Sequence, residues 1–275
     1  MSLRTNEVNK KYYKVGVSRE GMQNEKYMIL QKVNKMTENE KKVYNLLLTP
    51  IECSKEYSEI KISNGVIHTP QLYRGVADED MSDFSIGFYK IIYKDLLKKN
   101  AGEMLQGNGA YVDAEYLGDT MHSFNSLANI ILGDLSKDNR SPKDKWPPEL
   151  LDYCKRYHCL ANFWIIPMRH GRRSAKLSMY DSVDYYLYRV KNEFLDVGYG
   201  YFSNYPDWDS FLGMHCMSDY HIKNNSLDMY KIKDKDSCLK ELDRISDAWE
   251  KRALELVEKF GDELYTYFSK ELHLI

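Results

Sequence analysis

The sequence predicts a mainly α, irregular multi-helix domain with one small β element. Three observations point there. Glycine and proline are scarce, at 15 and 7 of 275 residues, and a turn-rich β fold needs more of both. Apolar residues recur at helical spacing through most of the chain. Asn64-Gly65, set between short apolar runs, is a strong local hairpin signal.

The elements follow in order. Residues 1–36 are polar, rich in Lys and Asn, and read as an extended or only partly ordered lead-in. A single helical globular domain over 37–275 comes next, long enough to bury a sizeable core. Thr37 and Glu40 form a capping box ahead of Val43, Leu46 and Leu47, and Pro50 stops that helix. The stretch 57–75 is extended, with Asn64-Gly65 supplying the two positive φ angles of a hairpin turn. A helix over 82–99 carries Phe84, Phe88, Ile91, Ile92 and Leu96 on one face.

Residues 106–118 read as a turn and a short strand. Asp119 or Thr120 then caps a helix whose stripe is Met121, Phe124, Leu127, Ala128, Ile131 and Leu132, ending at Gly133. The segment 135–148 has three prolines and no periodicity, so it reads as an internal linker. From Pro148 the pattern predicts one helix through Ile165, stopped by Pro167. Helices over 182–197 and 208–217 follow. The longest runs over 237–273, with Leu242, Ile245, Trp249, Ala253, Leu256, Phe260 and Leu264 at alternating spacings of three and four. Gly261 offers a bend. Leu254, Val257 and Phe268 widen this stripe into a core-packing face, and the seam also admits a helical protein–protein interaction module.

Composition bounds the function. A formal net charge of −2 argues against a general nucleic-acid coat and leaves room for a local basic patch. The 23 tyrosines are spread along the chain and read as half-buried helix positions. Five cysteines without a C-x-x-C pair fit a reducing, cytoplasmic setting. No apolar leader opens the sequence, and no run of about 18 apolar residues predicts a membrane span. Nucleotide-binding loops, the nucleophile elbow and H-E-x-x-H are absent, so no cofactor or metal is expected.

Chemistry concentrates between Pro147 and Lys176. His158 and Asn162 stand four residues apart on the expected helix, which makes their side chains neighbours. Arg169, His170, Arg172, Arg173 and Lys176 follow with no acid among them. Two adjacent guanidinium forks suit phosphate or carboxylate. His158, Asn162, Arg169, Arg172, Arg173 and Lys176 are therefore the expected contacts to an anionic ligand: phosphate, nucleotide or nucleic acid. Asp119 and His122 are a second candidate, as a base with its orienting carboxylate, and His158 is a third proton-transfer candidate. His122 is expected on a polar face with Asn125 and Asn129.

The run from Tyr157 to Arg173 resembles a segment in a family of uncharacterised bacterial proteins, a domain of unknown function. Tyr157, His158, Asn162, Phe163 and Pro167 match its Tyr-His-x-x-x-Asn-Phe run, which ends in Pro and leads to a basic loop. Asp119 matches an upstream element. More distantly, the run is similar to the GN-x-x-L-L element of the C-terminal HNH-type nuclease domain in modification-dependent restriction proteins. That resemblance implies metal-dependent cleavage of nucleic acid, with Asp119 or His122 as base and His158 or Asn162 near the metal. Ala161 stands where that element has Gly, and the Asp-His-x-x-Pro element is missing.

Overall fold

The computed structural model describes residues 19–70, 79–97, 116–133, 143–167, 183–195, 202, 204–218 and 234–275. The chain divides into two compact units, Met1–Lys35 and Met36–Ile275. In the first, helix α1 spans Arg19–Lys35. Residues 19–35 are therefore helical and not extended. Met, Glu, Lys, Gln and Leu dominate the segment and lose little rotamer freedom in a helix. Lys32 and Lys35 also sit in its last turn, at the negative end of the dipole.

The second unit opens with α2, Glu38–Leu47, and the capping box is as expected. Glu40 N donates to Thr37 Oγ1 at 3.3 Å, and Thr37 N donates back to Glu40 Oε2 at 2.7 Å. Strand β1 follows directly, Ile51–Ser54, then β2, Lys61–Ser63, and β3, Val66–Pro70. Asn64 and Gly65 take φ of 52° and 73°, as the hairpin turn requires. The sheet order is β1-β3-β2, with β1 parallel and β2 antiparallel to β3. The hairpin thus gains a third strand that four residues after Pro50 did not reveal.

Helix α3, Asp83–Ile92, is capped by Ser82 and breaks at Tyr93 before the short α4, Lys94–Leu97. Strand β4 spans Tyr116–Thr120, and α5 spans Phe124–Leu132. Asp119 and Thr120 are therefore strand residues and not helix caps. Their backbones pair with Trp164 and Phe163, a bonding partner that a local reading of 118–124 cannot supply.

Helix α6, Pro148–Arg156, ends nine residues earlier than the pattern suggests, and β5 occupies Phe163–Pro167. Phe-Trp-Ile-Ile is aromatic and β-branched, and it suits a pleated pairing once β4 offers one. All five residues of β5 pair antiparallel with β4. The fold is mainly α as expected, and its β part is a small three-stranded sheet and this two-stranded ribbon, more than the one small element the sequence suggests. Helix α7, Val183–Arg189, continues as a π-helical turn, and α8 spans Trp208–Met214.

Helix α9, Lys235–Thr266, is the spine of this unit, and Gly261 lies inside it without ending it. It packs against α2, α3, α5 and α6. Its Leu242, Ile245, Trp249, Ala253, Leu256 and Leu264 are buried, so the chain's own core covers most of the seam. Among the described residues no helix is long and apolar enough to cross a membrane.

Gly118 tests the packing of β4 against the turn at residues 79–81. A Cβ there would lie 2.1 Å from the Asp80 carbonyl oxygen and 2.7 Å from the Tyr89 hydroxyl. Gly118→Ala is expected to lower unfolding free energy by about 3 kcal/mol through overpacking. Gly213→Ala, with nothing within 4 Å, should be neutral or stabilise by under about 1 kcal/mol. Urea unfolding of the two variants checks the contrast.

Candidate functional site

The turn between α6 and β5 is built around one side chain. Asn162 belongs to a 3-10 turn over Leu160–Asn162 and is fully buried. Its Oδ1 accepts from His122 N at 3.0 Å and from Trp249 Nε1 at 2.9 Å. Its Nδ2 donates to His122 O at 3.0 Å and Tyr157 O at 2.7 Å. Two partners can only donate and two can only accept, so the amide has one satisfied orientation. The Asn162 side chain pairs with the His122 backbone much as a strand would. Met121 N donates to Asn162 O at 2.8 Å, which carries the β4–β5 ladder into this clamp.

Arg252 closes the same turn from α9. It is buried, and its donors meet backbone oxygens. Nη1 reaches Leu160 O at 3.3 Å, Ala161 O at 2.9 Å and Phe163 O at 2.7 Å, and Nε reaches His215 O at 2.9 Å. An irregular turn inside a core exposes carbonyls that no ladder satisfies. A five-donor guanidinium fits that need better than an ammonium would. Among the described residues no carboxylate pairs with it.

His215 lies next to it. Nδ1 is 2.9 Å from the Tyr93 hydroxyl and Nε2 is 3.1 Å from the Tyr205 hydroxyl. Burial, and then the charge of Arg252, pull the imidazole down to about 3. It is a neutral core group with both nitrogens engaged.

His158 differs from these. It sits in the bend after α6, and its carbonyl accepts from Ile51 N at 2.7 Å. Nδ1 lies 3.1 Å from Oε2 of Glu79, with the two side chains 27% and 19% exposed. Burial alone would raise the Glu79 carboxyl. The hydrogen bond and charge of His158, with backbone N–H groups of Glu79 and Cys53, outweigh it and hold Glu79 below its ordinary value. Tyr157 lies against the imidazole, ring centroids 3.9 Å apart, and Phe163 lies at 6.0 Å. Burial, and then Glu79, push the Tyr157 phenol well above its usual range.

Several sequence expectations need correction here. His158 and Asn162 do not share a helix face. Asn162 turns inward and fills all its bonds within the protein, which leaves it nothing for a ligand. His122 is buried and not on a polar face, because its backbone is clamped by Asn162 and its ring lies edge-on to Trp249. Asp119 lies on β4, where its Oδ1 accepts from Thr120 N at 2.8 Å. Arg169, Arg172, Arg173 and Lys176 lie outside the described residues. Among the described residues, no three His, Cys, Asp or Glu side chains gather as a metal-ligand set.

Glu79, Trp249 and Arg252 escaped the sequence reading as partners of this turn. Arg252 left a trace, since it interrupts the apolar stripe between Trp249 and Leu256. Glu79 left none, being one acid in the run Asp78-Glu79-Asp80. The chain matches no family model, no curated protein and no solved structure.

Asn162→Ala is expected to cost about 3 kcal/mol, because it removes the partner of two buried N–H groups and of the Tyr157 carbonyl, while His122 O keeps its bond from the Tyr153 hydroxyl. Chemical denaturation measures it. His215 also predicts a pH dependence. Its folded pKa of about 3 lies below the unfolded value, so the unfolded chain takes up the proton first. Stability from this group is complete above about pH 6.5 and falls as pH drops toward 3, by about 2 kcal/mol at pH 5. Urea unfolding of wild type and His215→Asn at pH 7 and 5 should show a shallower fall in the variant.

Proposed function

We propose that the chain binds an anionic ligand or partner through the basic stretch 169–176. The observation that carries this reading is charge segregation. Between Asp152 and Asp181 the chain has no carboxylate, while Arg169, Arg172, Arg173 and Lys176 fall within eight residues of a protein whose net charge is −2. Concentrated guanidinium groups in an otherwise balanced chain suit phosphate or carboxylate recognition.

What lies before the stretch supports it. Strand β5 ends at Pro167 and is paired along its length with β4. A basic segment that leaves a fixed strand has a rigid base, and binding loops commonly sit on such scaffolds. The nearby Arg156 is not part of the surplus, since it pairs with Asp152 and bonds Ser246 Oγ. Asn162, committed to the core, is not a ligand contact in this reading.

The double variant Arg172→Ala with Arg173→Ala should weaken binding of a labelled phosphate-bearing probe by roughly tenfold or more, and it should flatten the salt dependence. Filter binding at two salt concentrations measures both. Unchanged affinity sinks the reading.

A further inference from the structure

We infer that the sheet β1-β3-β2 is a flap that opens as a unit from the helical body, and that Glu79, aimed by His158, is its acid-sensitive clip.

The sheet coheres within itself. Strand β3 pairs with both other strands, and Pro50 O accepts from Ile67 N at 2.8 Å. Glu52 Oε2 accepts from the Tyr57 hydroxyl at 3.1 Å and lies 3.2 Å from His68 Nδ1. The Tyr57 and His68 rings are 4.7 Å apart. Thr49 belongs instead to the end of α2. Its N–H donates to Leu46 O at 3.1 Å, and its hydroxyl donates to Asn45 O at 2.8 Å. The bonding changes sides at the Thr49–Pro50 link, which makes that link the hinge.

The apolar attachment to the body is thin. Within the three strands the buried apolar side chains are Ile51 and Ile67. Thr69 is buried as well, and its hydroxyl has no hydrogen-bond partner among the described residues. A buried hydroxyl left unpaired gains water on opening. Segments with few buried apolar contacts open at a free energy below that of global unfolding.

The clip lies on the outer edge of β1. Alternate N–H groups of a strand paired on one side face away from its partner, here those of Ile51 and Cys53. Ile51 N donates to His158 O at 2.7 Å, and Cys53 N donates to Glu79 Oε1 at 3.5 Å. The other carboxylate oxygen, Oε2, lies 3.1 Å from His158 Nδ1. Both acceptors are fixed to the body. Ser82 Oγ and Ser85 Oγ donate to Glu79 O at 2.9 and 2.6 Å. His158 sits between α6 and the Asn162 clamp. Together they cover β1 as a neighbouring strand would.

Protonation weakens this acceptor, because one carboxyl oxygen then carries a proton and the charge is gone. Burial opposes the charge of Glu79, and the bond and charge of His158 with the Glu79 and Cys53 N–H groups outweigh it. The folded pKa is therefore below the unfolded one. The clip is complete above about pH 4.3 and is lost as pH falls through the lower, folded value. His158 faces Glu79 from the bend after α6, and Cys53 N–H faces it from β1. Tyr157 stands beside them, its phenol pushed up by burial and then by Glu79, Cys154 and Asp80. On the same turn, α3 brings the Tyr89 hydroxyl to Asp80 O, and β4 brings Asp119, bonded to Thr120 N.

Hydrogen exchange of the full chain, read by peptide mass, tests both parts. At pH 7 the amides of the sheet should exchange about tenfold or more faster than those of α9, with a weaker dependence on urea. Equal rates with equal urea dependence mean one cooperative unit and overturn the flap. Glu79→Ala should speed the sheet amides about tenfold and leave α9 unchanged; sheet amides that do not respond overturn the clip. Between pH 6 and pH 3.5, as chosen assay limits, wild-type protection in the sheet, corrected for intrinsic exchange, should fall roughly fivefold further than in α9. Glu79→Gln, whose amide oxygen accepts at any pH, should lose that excess. A wild-type sheet that tracks α9 through the acid range, or a Gln variant that falls as wild type does, overturns the acid clip. The wild-type arms decide the matter where a variant fails to fold.

Discussion

A single buried amide organises the centre of the larger unit. Asn162 ties together the end of α6 at Tyr157, the backbone beyond β4 at His122, and the long α9 through Trp249. These segments are far apart in sequence, and each presents a polar group to the interior. Left unpaired, each would lose a desolvation energy of about 1–3 kcal/mol. One side chain with two donors and an acceptor oxygen answers all of them. That is why α6 stops and β5 begins where they do.

Arg252 solves the complementary problem. The bend from Leu160 to Phe163 turns carbonyls into the core, and α9 supplies donors for them. A buried cation is costly when isolated. Here backbone dipoles surround it, and His215 beside it stays neutral, so no second positive charge is added. The same environment keeps these groups out of chemistry. Their hydrogen bonds are complete within the protein, which is the mark of a structural network. His158 stands at the rim of that network with one nitrogen outside it.

Local signals were legible wherever they were self-contained. The Thr37–Glu40 box needs only four residues, and the Asn64-Gly65 turn needs only two, so both could be read from the chain. The α9 stripe was equally clear, because an apolar repeat sustained from Leu242 to Leu264 at helical spacing fits no strand or loop. Reading failed where the partner lay elsewhere. The Phe163–Pro167 run has helical spacing with the residues before it, yet its backbone pairs with Tyr116–Thr120, far earlier in the chain. Asp119 and Thr120 look like helix caps because cap chemistry is local, and the strand that claims them is not.

The candidate site divides the same way. By itself, the sequence determined which residue types were concentrated where: the long apolar stripe of α9, one capping box, one hairpin, and a run of arginines without acids. These follow from short-range sterics, periodicity and charge. Only the tertiary structure decided that Asn162 points inward, that Arg252 crosses from the last helix to meet it, and that His158 faces Glu79. A hydrogen bond between residues 79 and 158 depends on how every intervening element packs, and no spacing along the chain encodes that distance.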